Sequence, residues 1–252
     1  TILLTSCTPN EGKSTVALRL TQALAEDEKK VILVDADLRK SVFIGRYGIT
    51  SEHQIKGLSH YLSGQNELDD VICETGIENL NIIFAGPTTP NPTELIGNSY
   101  FEEMIKTLRE QYDYIIIDAP PSLGLLTLNA LAAADKVIVP IQCEFYALEG
   151  LSQLVKTINL VKQHINTDLK IEGVVLTMFD SRTNLSIQVV DEVKRFFKTK
   201  VHTVIIPRNV RLGEAPSHGK PITVYDSKCQ GAEAYKDLAL EIIDWDGENY
   251  GE

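Results

Sequence analysis

Short runs of β-branched and apolar residues recur along the chain, with stretches of helical spacing between them, and this alternation limits the folds open to it more than any other feature. The runs are 2–5 (ILLT), 31–35 (VILVD), 80–86 (LNIIFAG), 114–118 (YIIID), 136–142 (KVIVPIQ), 171–178 (IEGVVLTM) and 202–207 (HTVIIP). Most are apolar on consecutive residues, as strands are when helices cover both of their faces. Stretches 14–27, 100–111, 146–164 and 184–198 have the spacing and length of helices. Such an order predicts an α/β fold: a doubly wound, mainly parallel sheet with helices on both faces and right-handed crossovers. No linker rich in Pro, Gly or Ser and no repeat interrupts the pattern, so residues 1–243 are expected to form a single domain. The polar, acidic stretch 244–252 (DWDGENYGE) is expected to be a flexible tail.

Bulk composition excludes several classes. The longest apolar runs are far too short to cross a bilayer, and no signal peptide precedes the first strand, so no integral membrane segment is expected. The four Cys form no CxxC pair and no metal spacing, which predicts reduced thiols and a cytoplasmic protein. A net charge of −11 rules out a surface that is basic all over, so any nucleic-acid contact needs a local patch. The five His show no ligand spacing, and no GxSxG elbow supports a serine hydrolase.

Chemistry concentrates where the predicted strands end. After the first strand comes TPNEGKST (8–15), leading into a helix. Its Gly12-Lys13-Ser14 ending fits a phosphate loop, in which main-chain N–H groups at a helix N-terminus surround the β- and γ-phosphates. Asn10, Glu11, Gly12, Lys13, Ser14 and Thr15 are therefore candidate nucleotide-binding residues. Lys13 supplies the neutralising cation and Ser14 a hydroxyl for Mg²⁺. The second run ends in Asp35 and Asp37, and the fourth in Asp118. In an open parallel sheet these carboxylates converge on the loop, because ligands sit at the carboxyl ends of the strands. Mg²⁺ takes hard oxygen ligands, so Ser14, Asp37 and Asp118 are its candidate ligands, and Asp35 is the candidate to orient the attacking water. Lys13, Asp35 and Asp118 form the expected catalytic set.

Taken together, GKST, VDAD and IIIDAPP resemble the deviant-Walker branch of P-loop ATPases: the ParA/Soj partition proteins, the MinD-type division regulators and the tyrosine kinases of bacterial capsule systems. Residues 1–118 resemble the kinases, through TPNEGKST, VDADLRKS and AGPTTPNPTELI (85–96), and the ending NYGE resembles their tyrosine tail. Residues 120–243 resemble ParA/Soj through PPSLGLLTLNAL, IQCEFYALEGLSQL, DSRTNL and IPRNVRLGEAPSHGKPI. The chain thus reads as a hybrid.

The partition resemblance implies ATP and Mg²⁺ as cofactors, ATP hydrolysis and non-specific DNA binding through Arg182 and Arg211, with Lys194, Arg195, Lys198 and Lys200 able to extend the patch. It implies Pro207, Arg208 and Asn209 beside the adenine, a ParB-like activating partner and an ATP-dependent homodimer. Thr8 stands where partition ATPases carry a cross-subunit Lys, which weakens the expected dimer. Nucleoid association follows from this reading. The kinase resemblance implies autophosphorylation on Tyr250 and a place at the membrane periphery. A nucleotide-binding scaffold without efficient turnover is the third reading open at this point.

Overall fold

Consecutive apolar residues become strands buried on both sides. The computed structural model describes residues 1–6, 9, 11–39, 41, 43, 55–87, 99–120, 124–144, 147–197 and 201–249. Along them run β1 (Ile2–Leu4), α1 (Lys13–Glu26), β2 (Val31–Asp35), α2 (Leu58–Leu62), β3 (Cys73–Glu74), β4 (Leu80–Ile83) and α3 (Ser99–Arg109). Then follow β5 (Tyr114–Asp118), α4 (Leu125–Ala133), β6 (Lys136–Gln142), α5 (Ala147–His164), β7 (Lys170–Phe179), α6 (Asn184–Phe197) and β8 (Val201–Pro207). The short α7 (Val210–Glu214) and α8 (Ile222–Tyr225) flank a 3₁₀ turn, Ala215–His218, and α9 (Gln230–Asn249) comes last.

The strands form one sheet in the order β3-β4-β2-β5-β1-β6-β7-β8. All neighbours pair in parallel except β3, which is antiparallel to β4. This is the doubly wound, mainly parallel α/β sheet the sequence predicts. The two-residue β3 was not foreseen, because two residues carry no periodicity.

Successive side chains of each strand enter opposite layers. Ile2, Leu4, Leu33, Ile116 and Ile138 pack with Val16, Leu20 and Leu24 of α1 and with Leu238 and Ile242 of α9. Leu3, Ile32, Val34, Ile115 and Ile117 pack on the other face with Met104 and Leu108 of α3, Leu154 and Ile158 of α5, and Val189 and Val193 of α6. Burying one such side chain contributes about 1.5–3 kcal/mol, so both layers stabilise the sheet. Parallel pairing sends the carboxyl ends of β1, β2, β5, β6, β7 and β8 to one edge, where Leu4 and Asp35 both lie level with Asp118.

Of the expected tail 244–252, residues 244–249 are described. They continue α9, a helix the apolar pattern did not reveal. Its last turns dock on the amino ends of the central strands. Asp246 accepts the Tyr114 hydroxyl at 2.8 Å and pairs with the Lys136 ammonium, which also meets Glu172 at 3.0 Å. Trp245 stacks on the buried His202 with ring centroids 4.5 Å apart. β8 bulges against β7, and Glu241 of α9 accepts the N–H groups of Thr203 and Val204 at 2.9 and 3.3 Å. Acidity alone suggested disorder, but the cation that receives Asp246 lies 110 residues away in sequence. No helix among the described residues is long and apolar enough to cross a membrane.

Candidate nucleotide-binding site

Gly12 caps the start of α1 with φ of 85°, a left-handed conformation that L side chains rarely adopt. It turns the chain from the loop into the helix, so the first free N–H groups of α1 face the carboxyl edge of the sheet. A Cβ at Gly12 would stand 4.0 Å from the Thr177 hydroxyl, at the wall of a cavity of about 700 Å³. That cavity is lined by Gly12, Thr15, Thr177, Met178, Pro207 and Asn209, among others.

Beside the turn lie the charged groups. Lys13 is buried, and its ammonium donates to Asp118 Oδ1 at 2.8 Å and to the Ser14 hydroxyl at 3.2 Å. Burial pushes the Asp118 carboxyl above the usual range, while Lys13 and a hydrogen bond from Ser14 pull it back. Asp35 is fully buried at the end of β2, and burial raises it to about 7, partly offset by the Ser41 hydroxyl. Asp37 lies close enough to act electrostatically on both Asp35 and Asp118. Lys13, Ser14, Asp35, Asp37 and Asp118 thus meet at one edge, as strand-end logic predicts.

Asp35 is engaged by its own loop. Its Oδ2 accepts the Ser41 hydroxyl at 2.5 Å and its Oδ1 accepts the Asp37 N–H at 3.2 Å, so both oxygens face its own loop. The loop folds back on the strand end because a buried carboxylate needs donors, and these are the nearest.

Ser14, Asp37 and Asp118 form a hard-oxygen donor set. Among the described residues no group of three or more His, Cys, Asp or Glu side chains is arranged for a metal. Mg²⁺ at phosphate sites needs fewer, one or two carboxylates beside a hydroxyl and phosphate oxygens, so the set fits it.

The expected adenine loop divides. Pro207 and Asn209 line the cavity, whereas Arg208 donates to Glu144 at 3.0 Å and is absent from the lining. Glu11 is buried next to Gly12. Sequence reasoning missed Thr177 and Met178, which the rule of strand carboxyl ends would have found at the end of β7. It also missed Tyr235 of α9, for which no signal was read. Met178 has φ of 56°, at a bulge between β7 and β8.

The Arg pair lies near the same edge. Arg182 follows β7 and forms a two-pronged bond to Asp180, at 2.9 and 2.7 Å. Arg211 in α7 meets Glu214 at 2.8 Å and Asp226 at 3.4 Å. Both side chains are more than half exposed, each already facing carboxylates. Lys194 and Arg195 are exposed on the last turn of α6. Thr8, Asn10, Lys198, Lys200 and Tyr250 lie outside the described residues, as does most of 85–96.

A family model described as an AAA domain matches residues 10–171. The sporulation initiation inhibitor protein Soj of Bacillus subtilis (strain 168) is 47% identical over 246 residues, covering 96% of this chain and 97% of its own. The chromosome partitioning protein ParA of Myxococcus xanthus (strain DK1622) is 48% identical over 240 residues, 92% of this chain and 83% of its own. Among solved structures, cobyrinic acid a,c-diamide synthase from Mycobacterium smegmatis with bound ADP and magnesium superposes with a TM-score of 0.79. It is 29% identical and covers 94% of this chain and 92% of its own. The kinase domain of the Escherichia coli tyrosine kinase ETK gives 0.61 at 26% identity, over 69% of this chain and 66% of its own. The Soj likeness therefore runs through both halves, where the sequence alone suggested a boundary near Asp118.

Proposed function

The chain belongs to the ParA/Soj family of chromosome-partitioning P-loop ATPases, and from that premise we propose an ATP-driven switch whose hydrolysis site is built by Lys13, Ser14, Asp37 and Asp118. One observation carries the reading: the Lys13–Ser14–Asp118 contact set follows directly on the left-handed Gly12, which itself lines a cavity large enough for a base and ribose. The backbone N–H groups that open α1 hold the phosphates, and Lys13 exchanges part of its contact with Asp118 for phosphate oxygen. Pro207, Asn209, Thr177 and Met178 enclose the base end. Ser14 and Asp118, with Asp37 alongside, would hold Mg²⁺, which would supply neutralising charge for the phosphates. Asp37 takes the water-orienting part first expected of Asp35.

Non-specific DNA is the proposed track of the switch, met by Arg182 and Arg211 when ATP is bound. The proposed cycle includes an ATP-dependent homodimer, weakened by Thr8, and a ParB-like partner that stimulates hydrolysis. The test is direct. Purified protein with Mg²⁺ and labelled ATP is expected to release phosphate, and to shift duplex DNA at low salt only with ATP. Absence of phosphate release, with label on tyrosine instead, overturns it.

A further inference from the structure

We propose that Ser41 is a positioning residue of the hydrolysis site, tying down the loop that carries Asp37. The inference rests on the ATPase reading above and adds a residue that reading does not use.

The argument follows the path of the chain beyond β2. Asp35 ends the strand, level with Asp118, and Ala36 keeps the pairing one step further by donating its N–H to the Asp118 carbonyl at 3.0 Å. From there the chain leaves the sheet. Asp35 Oδ1 accepts the Asp37 N–H at 3.2 Å, and Asp37 Oδ1 in turn accepts the Arg39 N–H at 3.3 Å, two successive side-chain turns. Then the Ser41 hydroxyl reaches back to Asp35 Oδ2 at 2.5 Å, closing the segment on the buried carboxylate where it began. Two residues later Phe43 is fully buried in the layer between sheet and α1.

Each link bears on Asp37. Residues 36–39 and 41 belong to no helix or strand, so beyond the buried Leu38 their path leans on the carboxylate of Asp35. That carboxylate cannot turn toward solvent because it is fully buried. With both oxygens engaged by the loop, it serves as a fixed post, and Ser41 is the hydroxyl that ties the far end to it. The hydroxyl donates to a buried carboxyl oxygen that has few other donors within reach. Without it, the loop between Ala36 and Phe43 keeps its ends but loses its closure. Asp37 then samples positions away from Lys13 and Asp118, and misplacing a reacting-group partner by an ångström costs rate much more than binding.

The test uses the full-length chain with Ser41→Thr, which keeps a hydroxyl, and Ser41→Val, which matches Thr in shape and lacks it, together with Ser41→Ala. In nucleotide-free protein, hydrogen exchange at the Asp37 and Arg39 amides and trypsin cleavage after the exposed Arg39 are expected to quicken about tenfold or more in Val and Ala, but not in Thr. With ATP and Mg²⁺, kcat is expected to fall roughly tenfold in Val and Ala with KM within about twofold, and Thr is expected to retain most of the turnover. Wild-type exchange and wild-type kcat in Ser41→Val overturn the proposal, as does an equal loss in Thr and Val. A rise in KM at constant kcat also overturns it, since that is ground-state binding. If wild-type protein turns over no ATP, the hydrolysis reading fails by itself. The exchange comparison, made without nucleotide, still decides whether Ser41 holds the loop.

Discussion

Lys13 and Asp118, 105 residues apart in sequence, form an ion pair 2.8 Å long whose side chains are only 7% and 1% exposed. One stands at the first turn of the phosphate-loop helix, the other at the end of the strand beside β1. The pair places the cation and a candidate metal ligand in contact, and its burial makes each partner depend on the other.

Lys13→Ala is expected to weaken ATP binding roughly a hundredfold, since a charge-assisted contact is lost. It should also destabilise the nucleotide-free fold by about 3 kcal/mol, because Asp118 is left buried without its partner. The double variant Lys13→Ala with Asp118→Asn should recover most of that stability and none of the affinity. Thermal melts and calorimetry on the three proteins check this. Equal stability losses in single and double variants would show that the pair is not coupled.

Arg182 and Arg211 are proposed to meet DNA phosphates, yet each faces a carboxylate of its own chain. Asp180→Ala should free Arg182 and tighten ATP-dependent binding to non-specific duplex, while Arg182→Glu with Arg211→Glu should abolish it. The slope of log affinity against log salt should drop by about 0.9 for each phosphate contact removed. Gel shifts at two ionic strengths measure both effects. DNA binding that ignores both Arg changes places the interface elsewhere.

Lys136 stands between Glu172 and Asp246, so it joins two strands to the last turns of α9. Lys136→Met should cost about 2–3 kcal/mol, discounted from a fully buried pair for its partial exposure. That corresponds to a Tm lower by roughly 5–10 °C. Trp245 is the single Trp of the chain, so its emission reports on the same helix end. A red shift is expected as α9 loosens. An unchanged spectrum and Tm would mean that apolar packing alone holds the helix.

His202 is buried between Trp245 and the Glu241 carboxylate, opposite the strand position of Gly173. Burial lowers its affinity for a proton below the ordinary 6.5, with Glu241 acting the other way. The unfolded chain therefore takes up a proton near pH 6.5 while the folded protein does not. Stability from the neutral ring is fully present above that pH and is lost as pH falls toward the folded value, by at most about 1.4 kcal/mol per pH unit. His202→Phe should keep the stack and flatten this part of the profile. Melting curves from pH 7.5 to 5.5 compare the two proteins. Parallel curves would show that His202 does not titrate differently on folding.

The sequence by itself determined every strand but β3, the mainly parallel arrangement and the edge where chemistry gathers. Consecutive apolar residues at 31–34 and 115–117 leave no exposed face, and Gly12-Lys13-Ser14 has few local conformations beside a strand. These are short-range facts, carried by neighbouring residues. Tertiary structure decided what depends on distant partners. Asp35 was the candidate to orient the attacking water, and only the fold shows that it is buried with both oxygens turned to Ser41 and Asp37. Arg208 was expected beside the adenine, and only the fold shows Glu144, brought alongside from the end of β6, accepting from it at 3.0 Å. Residues 244–249 looked like a tail because composition records charge and not its counter-ion. A charge reads as solvent-facing in a sequence until the fold supplies, from far along the chain, the group that neutralises it. Which donors each buried carboxylate meets was therefore set by packing, not by pattern.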